Sequence, residues 1–101
     1  VLTMIAERLP ATVELAIVSI IIAVVIAVPL NQHQRDALVS FAYNIGTGAF
    51  ARSTLVKKLN AGKYDEVPTQ LRRWVYAGGR RLQGLVNRRN KEVKLWEGRY
   101  A

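Results

Sequence analysis

The pattern of hydrophobic and polar positions changes abruptly near residue 30. From Leu15 to Leu30 no residue is charged and only Ser19 is polar, without the alternation that would identify a half-buried strand. Sixteen residues exceed the length of an ordinary strand, so the run predicts a helix. Residues 11–13 and the uncharged residues 31–34 would bring this helix close to the length needed to cross a bilayer.

This apolar helix has three interpretations. We favour a transmembrane-type helix within residues 11–30, which makes a membrane a possible partner. A hydrophobic helix packed inside a soluble assembly is the first alternative. A secretory signal is the second, and it is disfavoured by the single positive charge at Arg8 and by the acids Glu7 and Glu14.

After residue 30 the pattern becomes that of amphipathic helices, with apolar residues at spacings of three and four. It predicts an all-α lobe of about four helices behind the apolar helix. The first predicted helix runs from about Asn31 to Gly46, and the second from Ser53 or Thr54 to Asn60-Ala61-Gly62. The third runs from Asp65 to Gly78-Gly79, and the fourth from Leu82 to Trp96. On the fourth helix we expect Glu92 on the solvated side, in a surface ion pair with Arg88 and Arg89.

Charge divides the chain at the same place. Residues 1–30 carry one basic and two acidic side chains, whereas residues 31–101 carry 14 basic and 5 acidic side chains. The second segment should therefore attract anionic partners. The chain has no cysteine and one histidine, His33, so we expect no disulfide, no thiolate nucleophile, no metal and no cofactor.

The first segment resembles part of the permease subunits of dipeptide and oligopeptide ABC transporters. The resemblance lies in IAERLPATVELAIVSIIIAVVIAVPL, residues 5–30, and above all in the cluster ERLPATVELA. In that family the cluster leads into a transmembrane helix. The resemblance is too short to predict a working transporter, so we assign residues 1–30 as a permease-like, membrane-type helix.

The second segment resembles the helical lobe of phage-type lysozymes, or endolysins. Three blocks follow the family order: NQHQRDALVSFAYNIGTGAF, STLVKKLNAGKYDEV, and LRRWVYAGGRRLQGLVNRR followed by Glu92. The resemblance covers residues 31–101 and implies peptidoglycan as the partner and hydrolysis of its glycosidic bonds, for host lysis, as the family activity. Residues 27–30, AVPL, fit both resemblances, and we place a fusion junction there.

The resemblance also defines what catalysis would require. Family members carry a catalytic Glu, followed by an Asp and a Thr in a small β-containing lobe, upstream of the helical lobe. Glu7 faintly echoes that Glu, but an acid at a membrane interface explains it better, and no Asp and Thr segment follows. We therefore predict no catalytic residue and expect the chain to be inactive alone, an enzyme only by family resemblance.

Binding residues can still be predicted from the resemblance, because the helical lobe forms one wall of the substrate cleft. Each has a structural alternative: packing for the tyrosine, helix capping for the serine and threonine, and a core position for the neighbouring Trp74. The candidates are Tyr43, Asn44, Ser53, Thr54, Arg73 and Arg88.

Two other functions remain as alternatives. One is a membrane-anchored, cell-wall-binding or interaction module of the signal-anchor type. The other is a basic nucleic-acid-binding module that uses Arg80, Arg81, Arg88 and Arg89, although no specific recognition motif accompanies them, so we expect no specific nucleic acid partner. The expected location is the periplasmic side of the inner membrane, or the host cytoplasm before lysis.

Overall fold

The computed structural model describes residues 10–98, and this part of the chain is mostly helical. Six α-helices and one turn of 3₁₀ helix surround a common core, and one short β-hairpin projects between the last two helices. The elements are α1 (Ala11–Val25), α2 (Gln32–Ile45), α3 (Thr47–Ala51), α4 (Thr54–Asn60), the 3₁₀ turn (Tyr64–Glu66), α5 (Val67–Leu71), β1 (Tyr76–Ala77), β2 (Arg80–Arg81) and α6 (Gln83–Trp96).

Helix α1 is shorter than the sequence predicts. Its backbone becomes extended at Ile26, where the side chain of Asn60 takes over the hydrogen bonding. Asn60 Nδ2 donates to the Val25 carbonyl at 3.0 Å, and the Ala27 N–H donates to Asn60 Oδ1 at 2.8 Å. Fifteen residues rise only about 22 Å, against the ~30 Å of a hydrocarbon core.

The prediction of a membrane-spanning helix within residues 11–30 is therefore not supported. Across residues 10–98 the structure contains no helix that is both long and apolar enough to cross a membrane. Helix α1 instead buries one side in the core, through Val18, Ile22 and Ile26 at a spacing of four. Its other side presents large aliphatic residues to solvent.

Helix α2 confirms the predicted first helix of the lobe. Asn31 and Gln34 form a reciprocal capping box, in which each side chain accepts the other residue's backbone N–H. The stripe of Leu38 and Phe41 is fully buried. The helix ends at Gly46, whose φ of 97° lies in the left-handed region that favours glycine. The short helix α3 that follows was not predicted.

Helix α4 also matches its prediction. Ser53 caps it, accepting the backbone N–H of Val56, and Leu55 and Leu59 face the core. The chain leaves the helix through Gly62, with a φ of 84°.

The prediction of one helix from Asp65 to Gly78-Gly79 is wrong in its second half. Helix α5 ends at Leu71, and the chain then forms the antiparallel pair β1–β2. Gly78 and Gly79 have φ of 59° and 78°, which fit the two central positions of a tight hairpin turn. The Leu82 N–H donates to the Val75 carbonyl at 2.9 Å and closes the hairpin. The lobe is thus not purely α-helical and has more helices than the four predicted.

Helix α6 begins one residue after the predicted Leu82 and ends at Trp96 as predicted. It packs along α2, burying Val93 and Trp96 in the core. His33 Nδ1 lies 3.1 Å from the carbonyl oxygens of both Leu95 and Trp96, so the start of α2 is joined to the end of α6.

Candidate functional site

A buried ion pair lies between α2 and α6. Arg89 Nε is 2.6 Å from Glu92 Oε1, and the two side chains are only 1% and 2% exposed. The predicted pairing of Glu92 with the preceding arginines is therefore confirmed, but its position on the solvated surface is wrong. Positions 89, 92, 93 and 96 follow the three-to-four spacing of the core stripe, and this spacing turns both charged residues toward α2.

Arg89 connects three parts of the lobe. Its Nη2 donates to Asn44 Oδ1 at 2.9 Å and to Glu92 Oε2 at 3.1 Å, and its guanidinium carbon lies 5.0 Å from the centre of the Phe41 ring. Its Nη1 lies 3.4 Å from the Trp74 carbonyl oxygen. Asn44, predicted as a substrate contact, thus orients the buried arginine.

Burial and ion pairing shift the pKa values of Glu92 and Arg89 in opposite directions. Burial raises the pKa of Glu92, while the hydrogen bond from Ser40 at 2.7 Å and the charge of Arg89 lower it. Burial likewise lowers the pKa of Arg89, and Glu92 raises it. Arg89 and Glu92 themselves are buried, and their partners Ser40 and Asn44 reach the surface.

An open groove of 320 Å³ shares Trp74 with the contacts of Arg89. It is lined by Thr54, Gln70, Arg73 and Trp74, so the structure brings two predicted site residues, Thr54 and Arg73, to one place. Trp74 is half-buried and packs edge-to-face on Phe41, with ring centres 5.7 Å apart, so it serves the core and the groove together.

Gln70 is the residue of the groove that was not predicted. It is a buried polar side chain at the last turn of α5. No sequence signal pointed to it, because its place at the groove depends on the packing of α5 beside α4.

Ser53 is not among the residues that line the groove. Its side chain is buried, its hydroxyl donates to the Phe50 carbonyl at 2.7 Å, and it accepts the Val56 N–H at 3.3 Å. These bonds are those of the capping role that was its structural alternative.

Tyr43 and Arg88 lie on another side of the lobe. The Tyr43 hydroxyl donates to Glu14 Oε2 at 2.9 Å, and this bond raises the pKa of Tyr43, an effect that the charge of Arg88 partly opposes. Arg88 Nε is 3.6 Å from Glu92 Oε2, and Arg88 lines a polar groove of 370 Å³ with Ser40, Gly84, Asn87 and Lys91.

Basic residues outnumber acidic residues over a long stretch of the sequence. Between Glu66 and Glu92 the sequence contains no acidic residue. The exposed cations of this stretch are Arg72, Arg73, Arg80, Arg81, Arg88 and Lys91. We call this set the basic band. Arg73 lines the groove and Arg72 precedes it, so this end of the basic band makes the groove attractive to anions.

Four of the described carboxylates accept hydrogen bonds from other side chains. Glu14 accepts from Tyr43, Asp36 accepts from Gln32 at 2.7 Å, and Glu92 is buried in its ion pair. A hydrogen bond from Lys58, 2.9 Å away, lowers the pKa of Glu66 and holds it ionised. Glu7 lies outside the described residues.

The comparisons with known proteins agree on one family. A model of the phage lysozyme family matches residues 5–92, on both sides of position 30. The chain is 47% identical over 76 residues to the SAR-endolysin of Escherichia phage Mu, covering 75% of this chain and 44% of that protein. It is 49% identical over 69 residues to the endolysin of Bacillus phage PZA, covering 68% of this chain and 27% of that protein.

Solved structures show the same likeness. The muramidase domain of SpmX from Asticaccaulis excentricus superposes with a TM-score of 0.79 at 31% identity, covering 84% of this chain and 60% of that one. The endolysin from Escherichia coli O157:H7 phage FAHEc1 superposes with a TM-score of 0.76 at 31% identity, covering 84% and 56%. The chain spans less than half the length of the SAR-endolysin of phage Mu.

Proposed function

Because the chain belongs to the phage lysozyme family, we propose that residues 31–98 form a helical wall that binds peptidoglycan. The observation that carries this proposal is the groove of Thr54, Gln70, Arg73 and Trp74, which combines hydrogen-bonding groups, a cation and an aromatic edge beside the basic band. Sites for small polar ligands have this composition: an apolar surface with a few polar groups that fix orientation.

Each groove residue matches a chemical feature of the cell wall. The Thr54 hydroxyl and the Gln70 amide can donate to and accept from acetamido and peptide groups. The Arg73 guanidinium can bind a carboxylate of the peptide stem through two parallel hydrogen bonds. Beneath them, the Arg89–Glu92 cluster fixes the Trp74 backbone and so keeps the groove preorganised.

We propose further that this wall binds without cleaving. Glycoside hydrolysis requires an acid placed on the leaving oxygen and a second group that stabilises the cationic sugar or traps it with water. Among residues 10–98, Glu14 contacts the predicted binding residue Tyr43 and Glu92 lies 3.6 Å from Arg88, and each already accepts a hydrogen bond from a lobe side chain. Cleavage of the glycosidic bond is the proposed family activity, with the acid supplied from outside these residues.

Binding is tested by sedimentation with purified insoluble peptidoglycan. Arg73→Gln should weaken association about threefold to fivefold, since it removes one exposed charge-assisted contact. Arg72→Gln is the matched control, because it removes the same charge one residue away, outside the groove lining. Equal losses in both variants would reduce the interaction to general electrostatic attraction.

Cleavage is tested separately by the clearing of a cell-wall suspension. We expect no clearing by the purified chain. Robust clearing that Glu7→Gln abolishes would overturn the binding-only assignment, and clearing insensitive to this change would indicate membrane disruption instead.

A second candidate function, association with a lipid surface, is favoured by the outer side of α1. Four large aliphatic side chains are exposed there: Val13, Ile17, Ile20 and Val24. Exposed apolar area of this kind is typical of helices that lie in a membrane interface.

Cosedimentation with phosphatidylcholine vesicles tests this candidate. Changing Ile20 and Val24 together to Ser should abolish binding, whereas Leu82→Ser, an exposed apolar residue outside α1, should not. Equal binding by all three proteins would contradict the assignment.

A further inference from the structure

The β1–β2 hairpin carries an exposed aromatic residue beside an exposed arginine. Tyr76 pairs with Arg81 and Ala77 pairs with Arg80 across the two strands. Directly opposed residues project to the same face of a two-stranded sheet, and neighbouring pairs project to opposite faces. Tyr76 and Arg81 therefore share one face of the hairpin, and Arg80 projects from the other.

Nothing in the described part of the chain covers this face. Tyr76 is 64% exposed, more than any other large hydrophobic side chain outside α1 in residues 10–98. Arg81 is exposed and has no described carboxylate within ion-pair distance. The nearest acids in sequence, Glu66 and Glu92, are bound to Lys58 and Arg89.

The hairpin is well suited to hold these two side chains in place. Its turn uses two glycines with positive φ, and the Leu82 N–H closes the strands onto Val75. It begins two residues after Trp74, which lines the groove. Little backbone ordering is therefore required on binding, which favours affinity.

We propose that the Tyr76–Arg81 face is a second binding site, for a sugar ring that carries a carboxylate close by, as a peptidoglycan unit with its peptide stem does. The tyrosine ring offers a flat apolar surface to the C–H face of the sugar, and the guanidinium fork matches the geometry of a carboxylate. This inference rests on the proposed binding of peptidoglycan and extends it beyond the groove.

Charge complementarity supports the same ligand. The basic band has six exposed cations with no acid between them in sequence, so the ligand should be anionic. A nucleic acid would also offer charge and flat rings. We favour the saccharide because the hairpin continues directly from the groove residues Arg73 and Trp74, and a strand lying in the groove would reach it first.

The test is calorimetric titration of the full chain with two soluble probes. One is a muropeptide tetrasaccharide with free stem carboxylates, and the other is a tetramer of N-acetylglucosamine, which has the rings without the carboxylates. Tyr76→Ala should weaken both probes about threefold to fivefold. Arg81→Gln should weaken the muropeptide by the same factor and leave the tetramer unchanged.

Arg80→Gln is the matched control, since it removes the same charge from the opposite face of the same hairpin. It should weaken muropeptide binding less than twofold. Equal effects of Arg80→Gln and Arg81→Gln would overturn the site, as would wild-type affinity in Tyr76→Ala. Absence of binding by the wild-type chain would refute the proposed function itself and the second site with it.

Duplex DNA serves as the competing ligand in the same titration. If DNA bound more tightly than the muropeptide at moderate salt, and if Tyr76→Ala and Arg81→Gln weakened DNA binding, the face would be a nucleic-acid site and the saccharide assignment would be wrong. Far-UV circular dichroism should match the wild type for all three variants, because each changed side chain is exposed.

Discussion

Arg89→Met should strongly destabilise the helical lobe. Methionine keeps much of the apolar stem that packs near Phe41 but removes the charge that faces Glu92. The carboxylate then stays buried with the Ser40 hydroxyl and Arg88 Nε, 3.6 Å away, as its remaining partners. Removing one partner of a buried ion pair costs about 3–5 kcal/mol, a large share of the ~5–15 kcal/mol that holds a typical domain together.

Urea unfolding followed by far-UV circular dichroism measures this loss. The control is Arg88→Met, which removes the same charge from the same helix at a side chain that is 43% exposed and should cost under about 1 kcal/mol. If Arg89→Met cost no more than Arg88→Met, the argument from burial would be refuted.

The pH dependence provides a second check on the same variant. Burial already raises the pKa of Glu92, and loss of Arg89 should raise it further. When a group has a higher pKa in the folded state than in the unfolded state, its contribution to stability is fully present below the unfolded-state pKa. That contribution is lost as the pH rises through the folded-state pKa. The penalty of Arg89→Met should therefore be smaller below pH ~4.5 than at pH 7. A penalty independent of pH would contradict this assignment of its origin.

Three further predictions follow from single contacts. Glu14→Gln should return the pKa of Tyr43 toward 10.0, because it removes the carboxylate whose hydrogen bond and charge raise that pKa, and phenolate absorbance should then appear at lower pH. In the unchanged protein the Glu14 contact stabilises the fold below pH 10 and is lost as the pH rises through the raised pKa of Tyr43. An unchanged titration in the variant would contradict this assignment. Asn60→Ala should cost about 1–2 kcal/mol in urea by releasing two backbone groups at the end of α1, and no loss would mean that water replaces them. Gly79→Ala, at φ 78°, should destabilise by about 1 kcal/mol, whereas Gly84→Ala, in the open first turn of α6, should stabilise by about 0.5–1 kcal/mol; equal signs would refute the role of positive φ.

The sequence was most informative where one signal dominates. Helix α2 was predicted correctly because Leu38 and Phe41 follow a single helical period and the residues around Gly46 stop it. Helix α6 was predicted to within one residue for the same reason. The pairing of Arg89 with Glu92 was predicted but its burial was not, because both residues occupy core positions that a hydrophobic pattern counts as polar.

Elements decided by distant contacts could not be predicted. A helical stripe is equally consistent with Leu71, Trp74 and Val75, and the glycine pair that follows can either end a helix or form a hairpin turn. Only the pairing of β1 with β2 in the folded lobe distinguishes the hairpin from the helix. The end of α1 depends on Asn60, 35 residues beyond Val25. The groove joins α4 to α5, and Gln70 gave no signal of its own before the two were packed together.

The two tryptophans of the chain allow the most direct test of peptidoglycan binding by the helical wall. Trp74 lines the groove, and Trp96 is buried in the core. In a nuclear magnetic resonance titration with a soluble muropeptide, the indole N–H signal of Trp74 should shift in a saturable manner while that of Trp96 stays in place. A fixed Trp74 signal at saturating muropeptide, or equal shifts of both, would contradict binding in this groove.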